Sequence, residues 1–205
     1  IIYYITRPTP VRKQEYRVAK AGDVDHISPL VSKINDLSNK VFCFDGENVN
    51  IKDYEVFIVD GESMSSCGIH TGNGVLVSRL FNKQDINNGT IVIYEIDPTR
   101  YVHDHPDAAK PQYGFKIRQF LGYADLNRDN DQIYESVKNI DTDLGNTQFK
   151  ELLFAKLNKA RNYFNNQVVT ISITYKEGIK DYSIHSFAEL YGIVKYIIPE
   201  SYMKN

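Results

Sequence analysis

The chain has 205 residues and a formal net charge of −2, and charged residues make up 24% of the sequence. This length is sufficient for one domain with a substantial core, with or without an added subdomain. The charge provides no overall basic field of the kind that favours nucleic-acid binding. Fifteen Tyr and ten Phe without a Trp indicate a β-rich globular protein.

The sequence contains no long apolar run that predicts a membrane anchor. Its two cysteines, Cys43 and Cys67, occur without an apparent secretory signal, and this combination predicts reduced thiols in a cytoplasmic protein. Because the sequence begins at Ile1 rather than Met, we expect a fragment from which an N-terminal part, such as a DNA-binding domain, is absent.

Residues 1–25 are predicted to form an N-terminal arm. Pro8 and Pro10 disfavour a compact helix, so an extended conformation is the better interpretation. Residues 17–23 of the arm read RVAKAGD. The small residues Ala21 and Gly22 would let the backbone around their peptide bond enter a narrow site, although an Ala-Gly pair by itself usually forms a turn.

Residues 26–38 are predicted to form a helix, because their apolar residues recur near helical spacing and Pro29 would fall in its first turn. Those apolar residues are Ile27, Leu30, Val31, Ile34 and Leu37. Two short strands are predicted next, at 41–44 and 54–59, with a polar turn region between them.

The stretch from 56 to 80 organises the rest of the chain. Two runs rich in β-branched residues, 56–59 and 75–77, predict strands on either side of a small and polar segment that contains Ser63. A serine held there by rigid neighbours would be presented as a nucleophile, provided that a base lies within hydrogen-bond reach. The alternative interpretation is a polar turn without chemistry. Cys67 is a rival nucleophile, although a bystander thiol is commoner.

A strand at 90–96 is followed by a loop at 97–112, which contains three prolines. The loop offers four side chains of metal-ligating type, which we interpret as solvated surface, so we predict no metal site. They are His103, Asp104, His105 and Asp107. The strand predicted at 113–123 carries Lys116 and Arg118. A buried neutral lysine can accept the proton of a serine, whereas an arginine remains protonated and cannot.

Residues 124–146 are polar and predict a loop with a short helix. The most regular pattern follows, with Asn146 or Thr147 as the N-cap of an amphipathic helix. A hairpin is predicted from strands at 168–175 and 182–187. Residues 190–198 fit both helical and strand patterns, and their β-branched content leads us to predict a strand.

Six residues around the serine fit the pattern G-x-S-M-x-x-x-G-I-x-x-G. They are Gly61, Ser63, Met64, Gly68, Ile69 and Gly72. This pattern resembles the nucleophile box of the Ser/Lys peptidases of the LexA, UmuD and signal-peptidase superfamily. The box departs from the family in residues 65–67, where a proline is usual, and at Asn73, where an aspartate is usual.

The resemblance implies a mostly β, LexA-like peptidase domain over residues 26–205, with residues 124–166 as a helical insertion. Ser63 would attack a peptide carbonyl, Lys116 would accept its proton, and backbone N–H groups would hold the oxyanion. Residues 17–23 resemble the self-cleavage segment of LexA, with Ala21–Gly22 as the scissile bond. No cofactor is implied.

The family also implies a context and partners. Its members are often phage or stress-response (SOS) repressors, so we expect a homodimer, with a RecA-type filament as a candidate activator and DNA contacted only through the missing N-terminal domain. In the most natural register, however, Arg118 falls on the lysine position of the family. A catalytically inactive regulatory or dimerisation domain is therefore the alternative, and a β-rich binding module unrelated to the family is a third hypothesis.

Overall fold

The computed structural model describes the backbone of residues 2–5, 17–18, 30–34, 41–44, 47–49, 53–96, 114–176 and 178–203, and the side chains of residue 49 and of residues 53–96, 114–175 and 178–203. The described chain is mostly β, as predicted. Its strands are β1 (Ile2–Ile5), β2 (Arg17–Val18), β3 (Leu30–Ile34), β4 (Val41–Phe44), β5 (Glu47–Val49), β6 (Glu55–Asp60), β7 (Gly74–Ser78), β8 (Ile91–Ile96), β9 (Gly114–Asp125), β10 (Val168–Lys176), β11 (Ile179–Ser186) and β12 (Leu190–Ile198). Its α-helices are α1 (Asn130–Val137), α2 (Thr147–Ala160) and α3 (Glu200–Met203).

Nine strands form one sheet in the order β2-β11-β10-β9-β3-β6-β7-β12-β8, and β8 also pairs with β9. This last pairing closes six of the strands into a ring, β9-β3-β6-β7-β12-β8, in which every neighbouring pair is antiparallel. Closing a sheet on itself removes its free edges. A separate small sheet contains β1, β4 and β5.

Aromatic side chains fill the interior of the ring. Phe57, Phe115 and Tyr191 come from three strands of the ring that are not neighbours, yet their ring centroids lie 4.9, 5.8 and 4.7 Å apart. Side chains of non-neighbouring strands meet in this way only across the middle of a barrel. Because side chains alternate along a strand, Lys116 and Arg118 lie on the outer face of β9.

The strand predictions at 41–44, 54–59, 90–96, 113–123, 168–175 and 190–198 are confirmed by β4, β6, β8, β9, β10 and β12. The hairpin is also confirmed, because β10 and β11 pair antiparallel from Val169↔Ser186 to Lys176↔Ile179. The described parts of the predicted extended arm, β1 and β2, are strands.

The helix predicted at 26–38 is wrong. Residues Leu30–Ile34 form β3, which pairs antiparallel with β6 on one side and with β9 on the other. Apolar residues at this spacing fit a strand as well as a helix, and the pairing partners, which lie far away in sequence, decide between the two.

The helical segment packs against the extension of the sheet. Helix α2 begins where predicted, and the Asn146 side chain accepts a hydrogen bond from the Gln148 N–H at 3.0 Å. Its buried residues join the main core and face β11; they are Phe149, Leu153, Leu157 and Ala160. Among the described helices, none has the length and apolar character that crossing a lipid bilayer requires.

Candidate active site

The loop that carries Ser63 is fixed by its own sequence pattern. Met64 and Ile69 are buried in the main core and anchor the loop between β6 and β7. Gly68 ends a short 3-10 helix with φ at 79°, and its N–H donates to the Ser65 carbonyl at 3.0 Å. Gly72 has φ at 90°, and a Cβ there would lie 2.6 Å from the Glu200 side chain. The positive φ angles of Gly68 and Gly72 favour glycine, and a side chain at position 72 would also collide with Glu200.

Ser63 lies at the centre of this loop and is 0% exposed. Its backbone carbonyl accepts a hydrogen bond from the Tyr175 N–H at 2.6 Å, which attaches the loop to the end of β10. Its hydroxyl is buried and forms no hydrogen bond within the described part of the chain. A buried hydroxyl without a hydrogen bond is costly in a folded protein, and groups of this kind occur at sites of chemistry.

Beside the serine, Glu62 fixes the outer turn of the loop. Its carboxylate lies 3.0 Å from Nδ1 of His70 and accepts a hydrogen bond from the Thr71 N–H at 3.1 Å. The Thr71 hydroxyl in turn donates to the Gly61 carbonyl at 3.1 Å. These contacts hold the loop backbone on both sides of Ser63 in one conformation.

Lys116 is the residue that the sequence predicts as the base. It is 5% exposed, and burial together with the like charge of Arg118 lowers the pKa of its ammonium to about 7. No hydrogen bond or ion pair joins Lys116 to another described side chain. A substantial fraction of this amine is therefore neutral at physiological pH, which is the form able to accept a proton.

Strand pairing brings Asp60, the last residue of β6 before the Ser63 loop, to the same end of the sheet as Lys116. Leu30 of β3 pairs with Asp60 on one side and with Lys116 on the other. The Cα atoms of Asp60 and Lys116 are thus two strand spacings apart, about 10 Å. Ser63 follows Asp60 by three residues, and no hydrogen bond links its hydroxyl to Lys116. Catalytic hydrogen bonds are often long before substrate binds.

Arg118 occupies the same face of β9, two residues beyond Lys116. It is 4% exposed, and its Nη1 donates to the Ile117 carbonyl at 2.8 Å. Its charge acts on Lys116 and on Tyr94. Arg118 cannot be the base, because a guanidinium keeps its proton in proteins. Its position beside Lys116 favours the neutral form of the lysine.

The predicted scissile bond, Ala21–Gly22, lies outside the described residues, as does the loop with His103, Asp104, His105 and Asp107. The backbone just before the bond is described, because Arg17 and Val18 form β2, which pairs in parallel with Ile179 and Lys180 of β11. Among the described side chains, no cluster of three or more His, Cys, Asp or Glu is arranged to hold a metal ion.

One structural element connects this segment to the serine loop. The hairpin formed by β10 and β11 donates from the Tyr175 N–H to the Ser63 carbonyl, and from the Gly178 N–H to the Ser66 hydroxyl at 2.7 Å. No local sequence pattern predicts a positioning role for Ser66 or Tyr175, because their hydrogen-bond partners lie more than a hundred residues away.

Cys67 does not have the character of a rival nucleophile. Burial raises the pKa of its thiol to about 12, so the thiolate, which is the reactive form, is scarce at neutral pH.

Comparison of the chain with protein-family models, with curated proteins and with solved structures gave no match.

Proposed function

We propose that this chain is a Ser/Lys peptidase domain of LexA-like fold that hydrolyses its own Ala21–Gly22 bond. The observation that carries the proposal is the state of Lys116. A lysine that is buried beside a cation, with its pKa lowered to about 7, is suited to act as a base and poorly suited to any structural role. Lys116 lies at the end of the sheet where β6 leads into the loop of the buried Ser63.

In this mechanism the hydroxyl of Ser63 attacks the carbonyl carbon of Ala21, and the neutral amine of Lys116 accepts the hydroxyl proton. The amine then returns the proton to the Gly22 nitrogen as the C–N bond breaks, which leaves an acyl ester on Ser63. Water hydrolyses the ester with Lys116 again as the base. Backbone N–H groups of the serine loop would stabilise the oxyanion.

The pairing of β2 supports cleavage within one molecule. Val18 lies three residues before Ala21, a span of at most about 10 Å for extended chain. Its pairing partner Lys180 belongs to the hairpin whose tip is hydrogen bonded to the serine loop. A tethered substrate near the nucleophile has a high effective concentration, so even a slow catalyst can process it.

The proposed context follows the resemblance. A self-cleaving domain of this type would belong to a repressor or stress-response regulator, acting as a homodimer, with a RecA-type filament as its activator. DNA would be bound by a domain outside this sequence.

The second candidate function is an inactive regulatory or dimerisation domain of the same fold. One observation favours it, because the Ser63 hydroxyl forms no hydrogen bond to Lys116 or to any other described group. Arg118 would then occupy the position of the base without replacing its chemistry.

Incubation of the full chain at pH 9, followed by intact-mass measurement, tests the proposal. We expect a fragment that begins at Gly22 and a rate that does not depend on protein concentration. Ser63→Ala should abolish the fragment, and Ser136→Ala, which removes a hydroxyl on α1, should leave the rate unchanged. A chain that stays intact while folded supports the inactive domain, and a fragment with another N-terminus excludes Ala21–Gly22 as the site.

A further inference from the structure

A second serine of this protein lies in contact with a histidine, far along the chain from Ser63. Ser183 and His185 are two residues apart on β11, so their side chains lie on the same face of the strand. The Ser183 hydroxyl is 3.0 Å from Nε2 of His185. Ser183 is partly exposed, so reagents can reach it from solvent.

A carboxylate lies on the other side of the imidazole. The Glu189 Oε2 is 3.9 Å from Nδ1 of His185. The other oxygen, Oε1, accepts hydrogen bonds from the Ser186 N–H at 3.1 Å and from the Ser186 hydroxyl at 3.2 Å, and these bonds fix the carboxylate. The charge of this carboxylate favours a proton on Nδ1, and in that tautomer Nε2 accepts the hydrogen bond of the Ser183 hydroxyl.

The imidazole is held in place from two directions. The ring of Tyr94 stacks on His185 with a centroid distance of 4.0 Å and an interplanar angle of 15°. The Tyr94 hydroxyl contacts the hydroxyls of Thr170 and Ser172 at 2.8 and 2.7 Å. Thr170 also donates to the His185 carbonyl at 3.1 Å. A histidine fixed in this way loses little conformational entropy when it acts as a base.

We propose that Ser183, His185 and Glu189 form a second nucleophilic site, a Ser-His-Glu triad that reacts with small apolar carboxylic esters. The triad is defined by geometry and roles, and it recurs on unrelated folds in different chain orders. The site has its own nucleophile and does not depend on the function proposed for Ser63, although Tyr94, which stacks on His185, pairs with Lys116 across β8 and β9.

Aromatic side chains beside His185 define the substrate class. Thr170 pairs with both His185 and Tyr123, so Tyr123 lies in the same row of the sheet. The Tyr123 ring contacts Phe120 and Phe187, with centroid distances of 5.1 and 6.5 Å. Tyr123 and Phe187 are partly exposed. These rings present an apolar surface that suits an apolar acyl group, and the Lys83 ammonium lies 5.3 and 4.9 Å from the centroids of Tyr123 and Phe187.

In the reaction, the Ser183 oxygen forms a bond to the ester carbonyl carbon and its proton passes to Nε2 of His185. The C–O bond of the ester breaks, and His185 returns the proton to the departing alcohol. Water then attacks the acyl-serine and gives a proton to His185, and the acid leaves as Ser183 regains its proton. Glu189 stabilises the imidazolium in both steps.

A fluorophosphonate probe tests the proposal on the full chain carrying Ser63→Ala. The Ser183 oxygen should form a bond to phosphorus with release of fluoride, which adds one adduct to the intact mass. Trypsin should place the adduct on residues 181–195, and fragmentation should assign it to Ser183 rather than Ser186. Adding Ser183→Ala should remove the adduct, and adding Ser136→Ala should keep it.

Hydrolysis of p-nitrophenyl butyrate provides a second readout. In the Ser63→Ala chain we expect turnover that falls at least tenfold with Ser183→Ala and with Glu189→Gln. The absence of an adduct on Ser183 in the folded Ser63→Ala chain would overturn the proposal, even if Glu189→Gln did not fold. Because that chain lacks Ser63, the outcome leaves the self-cleavage proposal untouched.

Discussion

Lys116 and Lys180 are both buried lysines of the same sheet, and their surroundings supply opposite charges. Lys180 is 1% exposed, and its Nζ lies 2.5 Å from Asp141 and 3.1 Å from Asp143. Lys116 is nearly as buried, and the charge that acts on it is the guanidinium of Arg118. The first lysine is paired with two carboxylates, whereas the pKa of the second is lowered by burial and by a like charge.

This difference teaches that burial alone does not decide what a lysine does. Asp141 also accepts a hydrogen bond from the Tyr182 hydroxyl at 2.6 Å, and burial together with the Asp141 charge raises the pKa of Tyr182. The hydrogen bonds of Lys180 and Tyr182 to Asp141 therefore join the segment before α2 to β11. Among the described side chains no such network surrounds Lys116, and the neutral form of its amine can accept a proton.

The largest expected effect is the loss of self-cleavage when Lys116 is replaced. Lys116→Met should reduce self-cleavage by roughly 10²–10⁴, because general-base catalysis contributes about that factor. Lys138→Met, which removes a partly exposed lysine paired with Glu135, should leave the rate unchanged. The measurement is the appearance of the fragment by intact mass at pH 9. Normal cleavage by Lys116→Met together with no cleavage by Ser63→Ala would show that another group is the base.

Replacing Lys180 and replacing Lys116 should change the free energy of unfolding in opposite directions. Lys180→Met leaves Asp141 buried and uncompensated, so we expect a loss of about 3–5 kcal/mol in the free energy of unfolding. Lys116→Met removes a lysine that must give up its hydration on folding, so we expect a gain at pH 7. Urea unfolding of both variants beside Lys138→Met measures the difference. A loss at both buried positions would contradict the comparison.

The pH dependence of cleavage is the next largest effect. Because only the neutral amine accepts the proton, and the pKa of Lys116 is lowered to about 7, the rate should rise roughly tenfold from pH 6 to pH 8 and then level off. The same group makes the folded state more stable as pH rises from about 7 towards 10.5, since the unfolded lysine binds the proton over that range. A cleavage rate still rising steeply above pH 9 would indicate a base with an ordinary lysine pKa.

The sequence predicted most strands, because their β-branched residues and alternation are local signals. The prediction failed at β3, because Leu30, Val31 and Ile34 fit both the helical period and the strand period. Pairing with residues far away in the sequence selects the strand. Ser63 and its glycines were identified from one continuous pattern. The lowered pKa of Lys116 was not visible in that way, since it depends on what buries the side chain. The contacts around His185 were missed because Tyr94 lies far away in sequence.

The smallest effect tests whether the helical segment and the proposed site at Ser63 and Lys116 are independent. Asn146→Ala removes the side chain that caps α2, and loss of a cap costs about 1 kcal/mol of stability. Asn165→Ala, at an exposed position after the helix, should change the free energy of unfolding by less than about 0.5 kcal/mol. Because the helix packs mainly on β11 within the sheet, neither variant should alter the rate of self-cleavage at a temperature where both are folded. If Asn146→Ala changed that rate severalfold while Asn165→Ala did not, the helix would be coupled to the proposed site at Ser63 and Lys116. The coupling would then act through the pairing of β2 with β11.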